Sequence, residues 1–142
     1  FIGASGAGKT TMAGRLPGWR SLADDSVLIR AEGGQPPTVA GTPFPGKEGL
    51  PRHGRPHRLG LITALNPHSE HALLEPVGED VAFRALLERV FCVLDGGPLF
   101  GSVLDVATRV VQTVPMARLH SNLDHDVATL LLLRHARQGR AA

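Results

Sequence analysis

The chain begins FIGASGAGKTT, and residues 1–11 constrain what it can fold into more than anything that follows. Gly3, Gly8, Lys9 and Thr10 fit the Walker A spacing G-x-x-x-x-G-K-[ST], a glycine turn between a buried strand and the first turn of a helix. Glycines let the backbone curl until its N–H groups face the phosphates of a nucleotide. The lysine reaches the β- and γ-phosphates, and the threonine hydroxyl ligates magnesium. No β-branched residue could replace Gly8 cheaply. Phe1-Ile2 reads as the end of an apolar strand and Thr10–Leu16 as the start of a helix, which is the context the motif requires. A feeding strand normally runs about five or six residues. The expectation is therefore a single P-loop domain over residues 1–142 that lacks its N-terminal strands.

Composition narrows the partners. Hydrophobic residues make up 42% and charged residues 20%, which suits an ordinary globular core rather than a disordered chain. The net charge of +2 is too mild to imply nucleic acid, and the single tryptophan, Trp19, with no tyrosine leaves little for base stacking. Purely apolar runs such as Leu130–Leu133 are far short of a membrane span. One cysteine, Cys92, excludes an internal disulfide and fits a reducing cytoplasm; its apolar setting points to core packing.

Along the chain, Trp19–Ala23 reads as a short strand ending on Asp24-Asp25, Ser26–Ala31 as a further strand, Gly33–Pro37 as a turn and Thr38–Gly41 as another short strand. Residues 42–58, crowded with Pro, Gly and basic groups, read as a long surface loop. Arg58–Leu65 reads as a buried strand and Asn66–Pro76 as a connection. Helical spacing then predicts a helix from Glu79 to about Phe91 and a second after Gly96–Pro98, whose valines also suit a strand. Met116–His120 reads as a last strand and Leu123–Arg137 as a final helix. The fold class expected is α/β, with a β-rich first third followed by helices.

Asp24 and Asp25 follow Lys9 by fifteen and sixteen residues. Phosphoryl transfer needs phosphates cradled, a metal held and an acceptor oxygen aligned near a carboxylate. One aspartate would ligate magnesium with Thr10 while its neighbour accepts a hydroxyl proton. Adjacent residues on a regular strand point to opposite faces, so both serve only if the chain bends there.

The run GASGAGKTTMAGRL…WRSLADDSVLIR resembles the HPr kinase group of bacterial serine kinases, which is similar in nucleotide fold to ATP-dependent phosphoenolpyruvate carboxykinase. The resemblance is specific over residues 1–31 and looser over 41–130, through GTPFPG, RLGLITAL and VPMARLHSNLDHD. It implies an ATP- and Mg2+-dependent kinase acting on a serine of a protein or peptide. Gly3, Ala4, Ser5, Gly6, Ala7, Gly8, Lys9, Thr10 and Thr11 would hold ATP, with Lys9 and Asp24 catalytic and Thr10 and Asp25 on the metal. The glycine- and arginine-bearing signature of HPr kinase/phosphorylase is absent downstream, which removes phosphorolysis and HPr itself from what the resemblance implies. Alternatives are a nucleotide-binding regulatory module without transfer and a small-molecule kinase of another P-loop lineage. A homo-oligomer is left open.

Three further clusters have plainer readings. Arg52, His53, Arg55, His57 and Arg58 could clamp an anion but read as a solvated basic loop. The pairs His53/His57 and His68/His71 would suit metal only on helices, which the surrounding Pro and Gly oppose for the first pair. His120, Asp124, His125 and Asp126 fall at a strand-to-helix junction, where Ser121 or Asn122 as N-cap accounts for most of them.

Overall fold

The structure, a computed structural model, describes residues 1–23, 25–44, 54–90, 98–121 and 126–131. In chain order its elements are α1 (Lys9–Gly14), β1 (Val27–Arg30), β2 (Thr38–Gly41), β3 (His57–Arg58), β4 (Ile62–Asn66), β5 (Leu73–Pro76), α2 (Glu79–Leu87), α3 (Pro98–Thr113) and β6 (Met116–His120). Residues 127–131 are also helical. The content is mixed α/β, with two three-stranded sheets of order β1-β2-β3 and β4-β6-β5.

The larger sheet carries the core. β6 runs parallel to β4, with Ile62 opposite Met116 and Asn66 opposite His120, and antiparallel to β5. Ile2 joins as a parallel bridge to Ala64. Its N–H donates to the Thr63 carbonyl at 2.8 Å, and its own carbonyl accepts from Leu65 N–H at 3.0 Å. The start of the glycine loop therefore lies beside the carboxyl end of β4.

Side-chain alternation sends the two faces of this sheet to different helices. Ile62 and Met116 pack with Ala82 and Leu86 of α2, Ala107 and Val110 of α3, and Val114 just beyond it. Leu119, with Leu65 and Leu74, packs with Met12, Leu16, Val127, Ala128 and Leu131. Residues 107, 110 and 114 recur at helical spacing, which settles the valine-rich segment as helix. Burying a side chain such as Leu119 or Val110 stabilises by roughly 1.5–3 kcal/mol.

Several expectations hold and several are corrected. β2 and β6 have the expected bounds, β1 lies within Ser26–Ala31, and α2 ends at Leu87 rather than Phe91. Trp19–Ala23 is not a strand. No described strand pairs with it; Trp19 N–H closes a turn on the Leu16 carbonyl, and Ser21 Oγ donates to the Ala23 carbonyl at 2.9 Å. β4 takes the place beside Ile2 instead. The expected strand Arg58–Leu65 divides, because Leu59 N–H bonds the Pro37 carbonyl in the small sheet before Ile62 enters the large one. The connection Asn66–Pro76 contains β5, an edge strand, where a proline is tolerated because the outer side needs no donor. The helical residues begin at 127 with Asp126 as cap: its Oδ1 accepts from Thr129 N–H at 3.2 Å and its Oδ2 from the Thr129 hydroxyl at 2.6 Å. Ser121, one of the two expected caps, is buried instead. Asn122, the other, lies outside the described residues, as do most of the long loop and Cys92.

Candidate functional site: the glycine loop and its cleft

Gly6 and Gly8 both adopt left-handed backbone, with φ of 80° and 82°. Residues with a Cβ rarely hold this conformation, so two of the loop's glycines are set by the turn itself. Gly3 is small for another reason. A Cβ there would stand 3.2 Å from the Ala7 Cβ and 3.8 Å from the Leu65 Cβ. The Gly8 carbonyl accepts from Met12 N–H at 2.8 Å, which starts α1. Lys9 folds back over the loop, its Nζ donating to the Gly3 carbonyl at 3.1 Å and the Ala4 carbonyl at 2.9 Å. The ammonium is thus held at the mouth of the turn.

A cleft of about 530 Å³ opens beside the loop. Lys9, Thr10 and Asp25 line it together with Trp19, Arg20 and Arg58. Leu16, Ile29, Val39 and Leu61 make much of the rest apolar, the usual character of a ligand site with a few convergent polar groups. Ala4, Ser5 and Gly6 are on the exposed side of the turn, and Thr11 is exposed on α1. Asp25 sits at a bend in the chain; Asp24 lies outside the described residues.

Of the basic loop, Arg55 and His57 are exposed and Arg58 reaches the cleft wall, while Arg52 and His53 lie outside the described residues. Among the described residues no three His, Cys, Asp or Glu side chains gather to hold a metal. Asp124 and His125 lie outside them. Among the same residues no helix is long and apolar enough to cross a membrane.

A second polar group stands at the carboxyl edge of the larger sheet. Asn66 Nδ2 is 3.0 Å from His120 Nδ1, and His120 Nε2 is 3.0 Å from Glu75 Oε2. Arg118 Nη1 lies 3.5 Å from the same Glu75 oxygen. The His120 hydrogen bond, aided by Arg118, outweighs desolvation and keeps the Glu75 carboxyl below its ordinary range. Sequence reasoning missed this group, because its members are 45 and 54 residues apart and meet only through strand register.

No protein-family model matches this chain, and no curated protein or solved structure matches it.

Proposed function

We propose that this chain is an ATP-binding kinase of the HPr kinase-like type, transferring the γ-phosphate to a serine hydroxyl of a protein or peptide. The reading is carried by the meeting of Lys9, Thr10 and Asp25 on one cleft beside a loop whose Gly6 and Gly8 are left-handed. A Walker A match by chance would leave its lysine and a following aspartate unrelated in space.

Transfer asks the protein mainly for positioning and charge. Lys9, already held over the loop carbonyls, needs only to exchange them for phosphate oxygens. Thr10 and Asp25 both line the cleft with hard oxygen donors, a fit for magnesium, which would neutralise phosphate charge when bound. Asp24 takes the proton of the attacking hydroxyl. Arg20 and Arg58 add further cations to the wall.

The test is incubation with Mg2+ and γ-labelled ATP in an extract of the protein's own cells, alongside Asp24→Asn and Lys9→Ala. One labelled protein or peptide, lost with both variants, is expected, with ATP still bound by Asp24→Asn. Lys9-dependent ATP binding without any labelled acceptor would replace the kinase with a nucleotide-binding regulatory module. Absence of ATP binding would remove the nucleotide reading altogether.

A further inference from the structure

β1 is an end strand. It pairs with β2 on one side, and among the described residues no strand pairs with the other. In an antiparallel pair alternate residues spend their N–H and C=O on the partner, while the residues between point theirs outward. Half of β1 therefore presents backbone donors and acceptors on its outer side. Exposed edges of this kind are ordinarily guarded by lysine, proline or a bulge. β1 has none of these: its sequence is VLIR, its register with β2 is continuous, and Val27 and Leu28 are 46% and 59% exposed. The first charge falls on its last residue, Arg30, which turns to Glu32 at 3.5 Å.

The same strand is a wall of the cleft. Side chains alternate along a strand, so Val27 and Ile29 share a face. Both line the cleft, as does Val39, which register puts opposite Ile29. Asp25, two residues before Val27, lines it with Lys9 and Thr10. Two residues span at most about 7 Å. The open edge and the glycine loop are thus two borders of one cleft.

We propose that the outer edge of β1 receives the phosphate acceptor as an added strand, an extended peptide with apolar side chains at every second residue from its serine. The inference rests on the kinase reading of the glycine loop. Two observations fix the occupant. Outward N–H and C=O groups repeating along a strand are matched along their length by another extended backbone. The edge also begins beside Asp25 and borders the cleft, so what lies on it delivers a side chain towards Lys9 and Thr10. Alternation then sets the specificity. A serine pointing into the cleft brings its second neighbours in with it, against Val27 and Ile29, and turns its immediate neighbours away.

The experiment supplies the chain with Mg2+, γ-labelled ATP and two synthetic serine peptides of one composition. One has leucine at the second residues from the serine and glutamine beside it; the other has the two exchanged. The first should be labelled with a kcat/KM roughly tenfold higher, the scale of an apolar group gained or lost in a pocket. Val27→Lys should erase that preference, and Leu28→Lys, on the far face, should keep it. Methylating the backbone amides of the favoured peptide one at a time should weaken labelling at alternate positions, since only every second N–H faces β1. Labelling without preference between the peptides, or a methylation scan without alternation, overturns the added strand while the kinase reading stands. A sedimentation mass of two chains that falls to one in Val27→Lys makes the occupant a second copy and overturns it too. If neither peptide is labelled the inference is overturned, and dialysis of wild type and Lys9→Ala against labelled Mg-ATP shows whether the nucleotide reading falls with it.

Discussion

Gly8 and Gly14 flank α1 and answer to opposite constraints. Gly8 is left-handed, and an alanine there should cost about 1–2 kcal/mol. Gly14 closes the helix with open space where a Cβ would stand, and Gly14→Ala should stabilise by roughly 0.5–1 kcal/mol. Urea midpoints at unchanged m-value check both. Asp126 supplies a pH-dependent case. Hydrogen bonds from the Thr129 hydroxyl and N–H lower its pKa in the fold. A lowered carboxylate stabilises fully above its ordinary value of 3.8 and loses that contribution as pH falls through the lowered one. Asp126→Ala should therefore reduce the urea midpoint at pH 6, with the gap from wild type closing towards pH 3. The glycines of the loop were legible in the sequence because backbone chirality dictates them. The cap was placed too early, since Ser121, Asn122 and Asp126 are all competent caps and burial of Ser121 is a tertiary outcome.

Elements were legible where a local pattern was sufficient. β6 follows from its apolar pattern and β2 from the turn before it, whereas the valines of α3 left its helical spacing open to a strand reading. β5 was not, because Leu73–Pro76 is short, ends in proline and exists only as an edge against β6. Trp19–Ala23 erred the other way: its composition suits a strand, but the position beside Ile2 is filled by β4. β6 is central, and its Leu119 is only 1% exposed. Leu119→Ala should cost roughly 2–5 kcal/mol, the range for emptied leucine sites, read from chemical denaturation. Trp19, about half exposed on the cleft wall, offers a direct report on α1 and the loop. Its fluorescence should change on Mg-ATP addition in wild type and not in Lys9→Ala.

The molecule as a whole is organised by one sheet with a hydrophobic cluster on each face. Val110 belongs to the α2–α3 side and Leu16 to the α1 side, with the sheet between them. Effects of separated sites add, so the double variant Val110→Ala/Leu16→Ala should lose the sum of the single losses to within about 0.3–0.5 kcal/mol. A larger discrepancy in denaturation would show that the two sides are strained together. The sheet that separates them is assembled from distant parts of the chain: Ile62 pairs with Met116, and Asn66 with His120, 54 residues further on. Such pairing comes late in folding, since the intervening chain must be closed before the contact is made. The glycine loop is translated long before β6, yet β4, which flanks it, gains its sheet partner only once β6 has been made. The loop is thus made well before it is braced.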